Sequence, residues 1–393
     1  MNYTARAGKL YAGDAEIQLR GISHHGFNGS LLLPQLLWIQ GWKEQLADIQ
    51  RLGFNAVRCP FVPDTLHLPK GDPTFLKQPG NEELVGKTPL QALDLWMAEA
   101  DRLGLYILID FHSVSRKSQY FHPFVTEPAD YGAGKWVETW NQQPYTIASW
   151  ISDLVFVAKR YKTNQHFIGI DIFNEPHDRV RWTTGGDAQW KPLVEQAAKA
   201  ILAANPNLLI FAQGITANWD GKEKAVEMNW GENLQPQAYS PIQIAPGKLV
   251  LSPHTYGPDV WNKASFSAPN FPANLAAEWE VLFGQFADKI PVVLGEFGGQ
   301  YEGADKVWQD ALVDYLISKP TMRSSFYWCY ANSGDTGAIV DGNGQVIPAK
   351  LALLQRLWTA PAPPVVVAPV SRTPAVIGAE IMARVDELVA RAS

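Results

Sequence analysis

Eight short apolar runs recur along this 393-residue chain, and each closes on polar or aromatic residues. They are LRGISHHG from residue 19, FNAVRCPF from 54, YILIDFHS from 106, FIGIDIFNEP from 167, LLIFAQGI from 208, KLVLSPHTY from 248, PVVLGEFGG from 291 and SSFYWCYA from 324. Between them lie segments such as WKEQLADIQRLG, TPLQALDLWMAEADRLG, TIASWISDLVFVAKRYK and KPLVEQAAKAILAAN, whose apolar residues fall three and four apart, as one face of a helix requires. A β-branched apolar run reads as a strand buried on both faces, so strand and helix are expected to alternate eight times. An open doubly wound sheet would want a glycine-rich phosphate turn after its first strand, and none follows residue 26. The fold class expected is therefore α/β, a closed (β/α)8 TIM barrel.

In such a barrel the strand ends point into one mouth, which makes their residue types informative. Strand two closes on Arg58, strand three on His112, strand four on Asn174 and Glu175, strand six on His254 and Tyr256, strand seven on Glu296 and strand eight on Trp328. Two glutamates 121 positions apart but aimed at one mouth suit glycosidic bond cleavage by a carboxylate pair. Arg58 and Tyr256 would hold Glu296 ionised as a nucleophile, and Glu175, beside His254, would be the proton donor. Asn174 would bind a sugar hydroxyl next to the reacting carbon, with Trp328 as the floor of the cleavage point. Taken singly, a histidine after a strand is usually a satisfied packing residue, and Asn-Glu-Pro is a plausible helix start. Together the set is hard to obtain from packing, because unpaired buried charges are costly.

Composition narrows the chemistry further. Lys and Arg number 33 against 39 Asp and Glu, for a net charge of −6, and no basic block would neutralise a phosphate backbone, which argues against a nucleic-acid partner. Fifteen Trp and thirteen Tyr exceed what a core of this size needs, and flat aromatic faces are what sugar rings stack on. About half of them are expected to be core all the same. Possible sugar contacts are His24 and His25 at the end of strand one, and Trp38, Trp182, Trp219 and Trp261 in loops on the catalytic face. No metal or cofactor is expected, since the histidines lack zinc-ligand spacing and DGNG at 341–344 reads as a hairpin turn rather than a calcium loop. Cys59 and Cys329 each follow a residue placed inside the mouth, so alternation should turn both thiols outward, unpaired.

Organisation along the chain follows from composition shifts. Residues 1–358 read as the catalytic barrel, 359–375 as a Pro-, Ala- and Val-rich linker, and 376–393 as one amphipathic helix. Ile381, Val385 and Leu388 would form a seam on that helix for docking or self-association of an otherwise monomeric protein. Long loops at 62–87 and 114–145 should wall a cleft. The start, MNYTARAGKLYAG, has no apolar core, and no run is long enough to span a bilayer, so a soluble protein is expected, cytoplasmic or trimmed of a leader.

The set Arg58, His112, Asn174, Glu175, His254, Tyr256, Glu296 and Trp328 resembles that of glycoside hydrolase family five, the cellulase family. So do Asn-Glu-Pro ending strand four, His-x-Tyr after strand six, Gly-Glu-Phe-Gly on strand seven and NSGDTGAI after strand eight. The resemblance covers about residues 10 to 358. It departs at WCYANSGDTGA, where Ala338 stands in place of the usual second glycine. What it implies is a retaining β-glycosidase without cofactor, Glu175 as acid/base and Glu296 as nucleophile, acting on β-glucan and most often an endo-β-1,4-glucanase. A β-mannanase or β-1,3-glucanase on the same acid pair, a carbohydrate-binding barrel without turnover, and a metal-dependent lyase or isomerase are the other readings. The last is disfavoured by the lack of clustered Asp and Glu ligands.

Overall fold

A computed structural model describes residues 1–71, 73, 76, 78–114, 139–140, 143–177, 180–183, 189–216, 228–331 and 336–360. The eight expected runs form eight strands, Arg20–Ser23, Ala56–Phe61, Tyr106–Phe111, Phe167–Asp171, Leu209–Ala212, Leu249–Leu251, Leu294–Phe297 and Ser325–Tyr327. Each pairs in parallel with its neighbour, and the eighth returns to the first through Ser325–Arg20 and Tyr327–Ile22. Parallel bridges Leu251–Val292 and His254–Glu296 join strand six to strand seven and close the barrel.

The expected amphipathic segments become helices Trp42–Arg51, Pro89–Arg102, Ile147–Arg160 and Trp190–Ala204, with Leu275–Leu282, Gly303–Ser318 and Pro348–Thr359 completing the outer ring. Their starts are written locally. Thr88 accepts from the Gln91 N–H with Pro89 in the first turn, and Thr146 accepts from Ser149 N–H. After strand five the described residues give a 3-10 turn, Gln235–Ala238, and residues 217–227, where the fifth helix is expected, lie outside them. Seven tryptophans, Trp42, Trp96, Trp150, Trp182, Trp190, Trp279 and Trp308, are fully buried, each adding about 3 kcal/mol or more of burial.

A three-stranded antiparallel sheet, Tyr3–Arg6, Lys9–Ala12 and Ala15–Ile17, precedes the barrel and was not anticipated. Tyr3 and Ala5 donate backbone N–H groups to the carbonyls of Asn207 and Gly247. Tyr3, Ala5 and Leu10 thereby pack on Leu19, Ala56, Leu108, Ile168, Phe211, Val250, Val293 and Phe326, closing the bottom of the barrel interior.

Two strands do not keep strict alternation. Ile168 and Asp171 both face inward, three positions apart, with a register shift beside Gly169; Val293 and Glu296 do the same around Gly295. A Cβ at Gly169 would lie 2.6 Å from the Leu209 carbonyl oxygen, and one at Gly295 would lie 2.8 Å from His254 Nε2. Each bulge therefore needs glycine, and each turns a carboxylate into the mouth.

Both cysteines are buried and neither is in a disulfide. Cys59 faces the helix layer as expected, whereas Cys329 packs with Tyr256, Trp328 and Ala338 beside the mouth, because the chain turns sharply there. DGNG is a hairpin turn in which Asp341 Oδ1 accepts from the N–H groups of Asn343 and Gln345. The last helix runs to Thr359 and the compact unit to Ala360, slightly past the expected end at 358. Linker residues 361–375, the C-terminal helix with its seam, and residues 115–138 and 141–142 of the second long loop lie outside the described residues. Among the described residues no helix is long and apolar enough to cross a membrane.

Candidate active site

Arg58, from strand two, is the hub of the mouth. Its fully buried guanidinium reaches Asp110 (3.0 Å), Asp171 (3.2 Å) and the amide oxygen of Asn174 (2.9 Å), and it pairs with Glu296 through Nη1. One cation thus faces three carboxylates. Burial outweighs its pull on each of them: Asp110 is pushed up to about 7, Asp171 well above the usual carboxylate range, and Glu296 above it. Replacing the guanidinium would leave buried charge uncompensated, which costs about 3–5 kcal/mol when such a pair is broken.

Glu175 and Glu296 meet across the mouth. Their nearest carboxylate oxygens lie within 4.8 Å of each other. His254 Nδ1 sits between them, 3.0 Å from Glu175 Oε1 and 3.5 Å from Glu296 Oε2. The two acids differ in their surroundings. The Tyr256 hydroxyl donates to Glu296 Oε2 at 2.7 Å, and Arg58 lies against the other oxygen, so both favour its ionised form. At Glu175 burial and then the charge of Glu296 hold the proton on well above the usual range, against a smaller pull from Arg58. The first proton taken up by the pair therefore resides on Glu175. Burial keeps His254 neutral, with its affinity for a second proton well below ordinary histidine.

Glu175 also adopts a left-handed backbone, φ 51°, a conformation an ordinary side chain enters at a cost of about 1–3 kcal/mol. Gln213 holds it there by accepting the Glu175 N–H at 2.7 Å while its amide donates to Asp171 at 3.0 Å. The Glu175 carbonyl is 2.7 Å from His177 Nδ1, and Trp230 stacks on His177 at 4.0 Å and 11°. His112 contacts Asp110 Oδ2 at 2.7 Å and lies parallel to Trp328 at 5.6 Å, with His25 parallel to the same indole at 5.3 Å.

Glu175, His254 and Glu296 are also the one described group of acidic and histidine side chains close enough to share a metal ion. The Arg58 guanidinium already occupies the cation position at Glu296, and a second cation there would be repelled. The donor set suits proton transfer and nucleophilic attack.

A family model for cellulase, glycosyl hydrolase family 5, matches residues 10–334. The chain belongs to that family. It is 41% identical over 350 residues to the major extracellular endoglucanase of Xanthomonas campestris, covering 87% of this chain and 68% of that protein. An endoglucanase of Paenibacillus polymyxa is 33% identical, with 83% of this chain and 78% of the relative covered. Among solved structures, the catalytic domain of the Xanthomonas campestris enzyme superposes with a TM-score of 0.82 at 38% identity, over 91% of this chain and 99% of that one. An endocellulase of Pyrococcus horikoshii in complex with cellotetraose gives 0.78 at 29% identity, over 91% and 98%.

For this cellulase-family chain, the eight expected strand-end residues all reach one mouth. Three supporting groups were missed: Asp110, Asp171 and Gln213. Asp110 was legible, since it stands two before His112 on the same strand face; Asp171 was hidden by the bulge at Gly169. Trp230 was missed as well. Two expected sugar contacts are corrected. His24 is 1% exposed, with one nitrogen 2.7 Å from Gln45 Oε1 and the other accepting from Trp96 Nε1 at 2.9 Å, so it has nothing left to offer a sugar. Trp182 is 2% exposed and donates its N–H to the Ser240 carbonyl, leaving no open face. Trp38 is half-buried against the core, Trp261 is 59% exposed, and Trp219 lies outside the described residues.

Proposed function

We propose that the protein is a retaining endo-β-1,4-glucanase in which Glu296 is the nucleophile and Glu175 the acid/base. The observation that carries this reading is the carboxylate pair, with oxygens within 4.8 Å and unequal hold on a proton. Retaining enzymes keep their acids about 5–5.5 Å apart, whereas inverting ones leave about 6.5–9.5 Å for a water. Glu296 attacks the anomeric carbon as the bond to the leaving oxygen breaks, and Glu175 gives its proton to that oxygen. Glu175, now a carboxylate, then takes a proton from water, whose oxygen attacks the same carbon and releases Glu296. The names of the relatives support β-1,4-glucan as the substrate.

Reducing-end release from carboxymethylcellulose, mannan and laminarin, compared side by side with product lengths, tests this. Release from carboxymethylcellulose with a spread of product lengths is expected; release only from mannan or laminarin would keep the mechanism and reject the substrate.

The two protonation states also fix the pH dependence. Turnover needs Glu296 ionised, so activity is lost as pH falls through its pKa, which burial sets above that of an ordinary carboxyl group. It needs Glu175 protonated, so activity is lost again as pH rises through the higher pKa of that group. A bell-shaped profile of kcat/KM results. Tyr256→Phe removes a bond that favours ionised Glu296, so the acid limb should move to higher pH and kcat/KM should fall about tenfold. An acid limb that stays in place would remove Tyr256 from that role.

A further inference from the structure

Glu232 and Lys263 form an ion pair that the chemistry above does not use. Lys263 Nζ lies 2.7 Å from Glu232 Oε2, and their side chains are 2% and 0% exposed. Lys263 also reaches Glu278, at 3.2 Å on helix Leu275–Leu282. Desolvating both members makes such a pair a poor source of stability, so its position must be explained by what it holds in place.

Glu232 grips two segments that line the mouth. Its Oε2 accepts the Asn229 N–H at 2.6 Å, which closes the turn carrying Trp230. Its Oε1 accepts the Thr255 hydroxyl at 2.7 Å, and Asn229 Nδ2 adds a 3.4 Å contact to the Tyr256 carbonyl. Thr255 stands between His254, which touches both acids, and Tyr256, which donates to Glu296. Its own N–H donates to the Glu296 carbonyl at 3.1 Å. On the other side, Trp230 stacks on His177, whose ring contacts the Glu175 carbonyl. A Cβ at Gly231 would lie 2.6 Å from Gln213 Oε1 and 3.3 Å from Glu175 Cα, so the turn presses directly on the acid/base.

We infer that Glu232, neutralised by Lys263, is a positioning residue that fixes the His254–Tyr256 segment and the Trp230 turn relative to the two acids. The inference rests on the functional reading above. It assigns a role to a buried charge pair one layer behind the mouth.

Thr255→Val tests it, because valine keeps the shape of threonine and removes only the hydroxyl that Glu232 holds. Freed, Tyr256 should hold Glu296 less well. The groups facing Glu296 are Arg58, His112, Asp110, Glu175, His254 and Tyr256, and of these only the two on the clamped segment are attached to Thr255. The expected result is a fall in kcat on carboxymethylcellulose of about 10- to 100-fold, as small misplacements of reacting groups produce, with KM little changed. The acid limb of kcat/KM should move to higher pH, and Thr255→Ser should restore both. A variant that melts earlier while keeping kcat and the acid limb of the wild type would overturn the proposal. Should Thr255→Val not fold, Glu232→Gln, which keeps volume and one acceptor, decides by the same limb. A wild type without turnover on carboxymethylcellulose or an aryl cellobioside would overturn the functional reading and this inference with it, a result distinct from an active wild type matched by its variants.

Discussion

Glu296→Ala is expected to lower turnover of carboxymethylcellulose by about four orders of magnitude or more while leaving cello-oligosaccharide binding within about threefold, as measured by steady-state rates and by calorimetric titration. The size follows from what is lost, the attacking carboxylate itself. Asp110 and Asp171 lie behind the guanidinium and are fully buried. The truncated side chain leaves a space between Arg58 and Tyr256 that suits a small anion. Added azide is therefore expected to restore cleavage of an activated aryl cellobioside and to yield a glycosyl azide of the opposite anomeric configuration. A Glu296→Ala enzyme that keeps even a hundredth of wild-type turnover, in a preparation free of contaminating wild type, would exclude Glu296 as nucleophile.

Glu175→Ala should separate substrates by their leaving groups. Cleavage of β-glucan, whose leaving alkoxide needs a proton, should fall by about 10²- to 10⁴-fold, the usual worth of general acid catalysis. Formation of the glycosyl-enzyme from a dinitrophenyl cellobioside should stay close to wild type, because that phenolate leaves unaided. Water attack in the second step then lacks its base, so a burst of phenolate followed by slow turnover is the expected trace in stopped flow. Equal loss on both substrates would mean that the two acids have been given each other's roles, or that the left-handed backbone at residue 175 collapses without its carboxylate. The Glu175→Gln variant separates these outcomes, since it keeps side-chain volume and the acceptor facing His254.

The barrel and its two principal acids were legible because both are written in short-range order. β-Branched runs such as YILID and PVVLG declare buried strands on their own, and a polar residue closing such a run has only one end of a barrel to face. That was enough to bring Arg58, His112, Asn174, Glu175, His254, Tyr256, Glu296 and Trp328 together from six strands. The sequence also determined where helices begin, as at Thr88 and Thr146, because a cap is satisfied by groups three residues away.

What only the tertiary structure decided is which of two similar residues faces the mouth. His24 and His25 are adjacent, yet His24 is spent on Gln45 and Trp96 while His25 lies against Trp328, partners contributed by distant segments. Trp182 and Trp261 were indistinguishable as loop tryptophans, and only packing buried one and exposed the other. Asp171 was lost to a period-two reading because the bulge at Gly169 reverses the face of everything after it, and that glycine is required by the Leu209 carbonyl on the next strand. Glu232 and Lys263, 31 positions apart, are unremarkable charges in the sequence and a buried clamp in the fold. Local periodicity records what a residue needs from its neighbours in the chain; the register between strands, set by the closure of the whole barrel, determines what it meets.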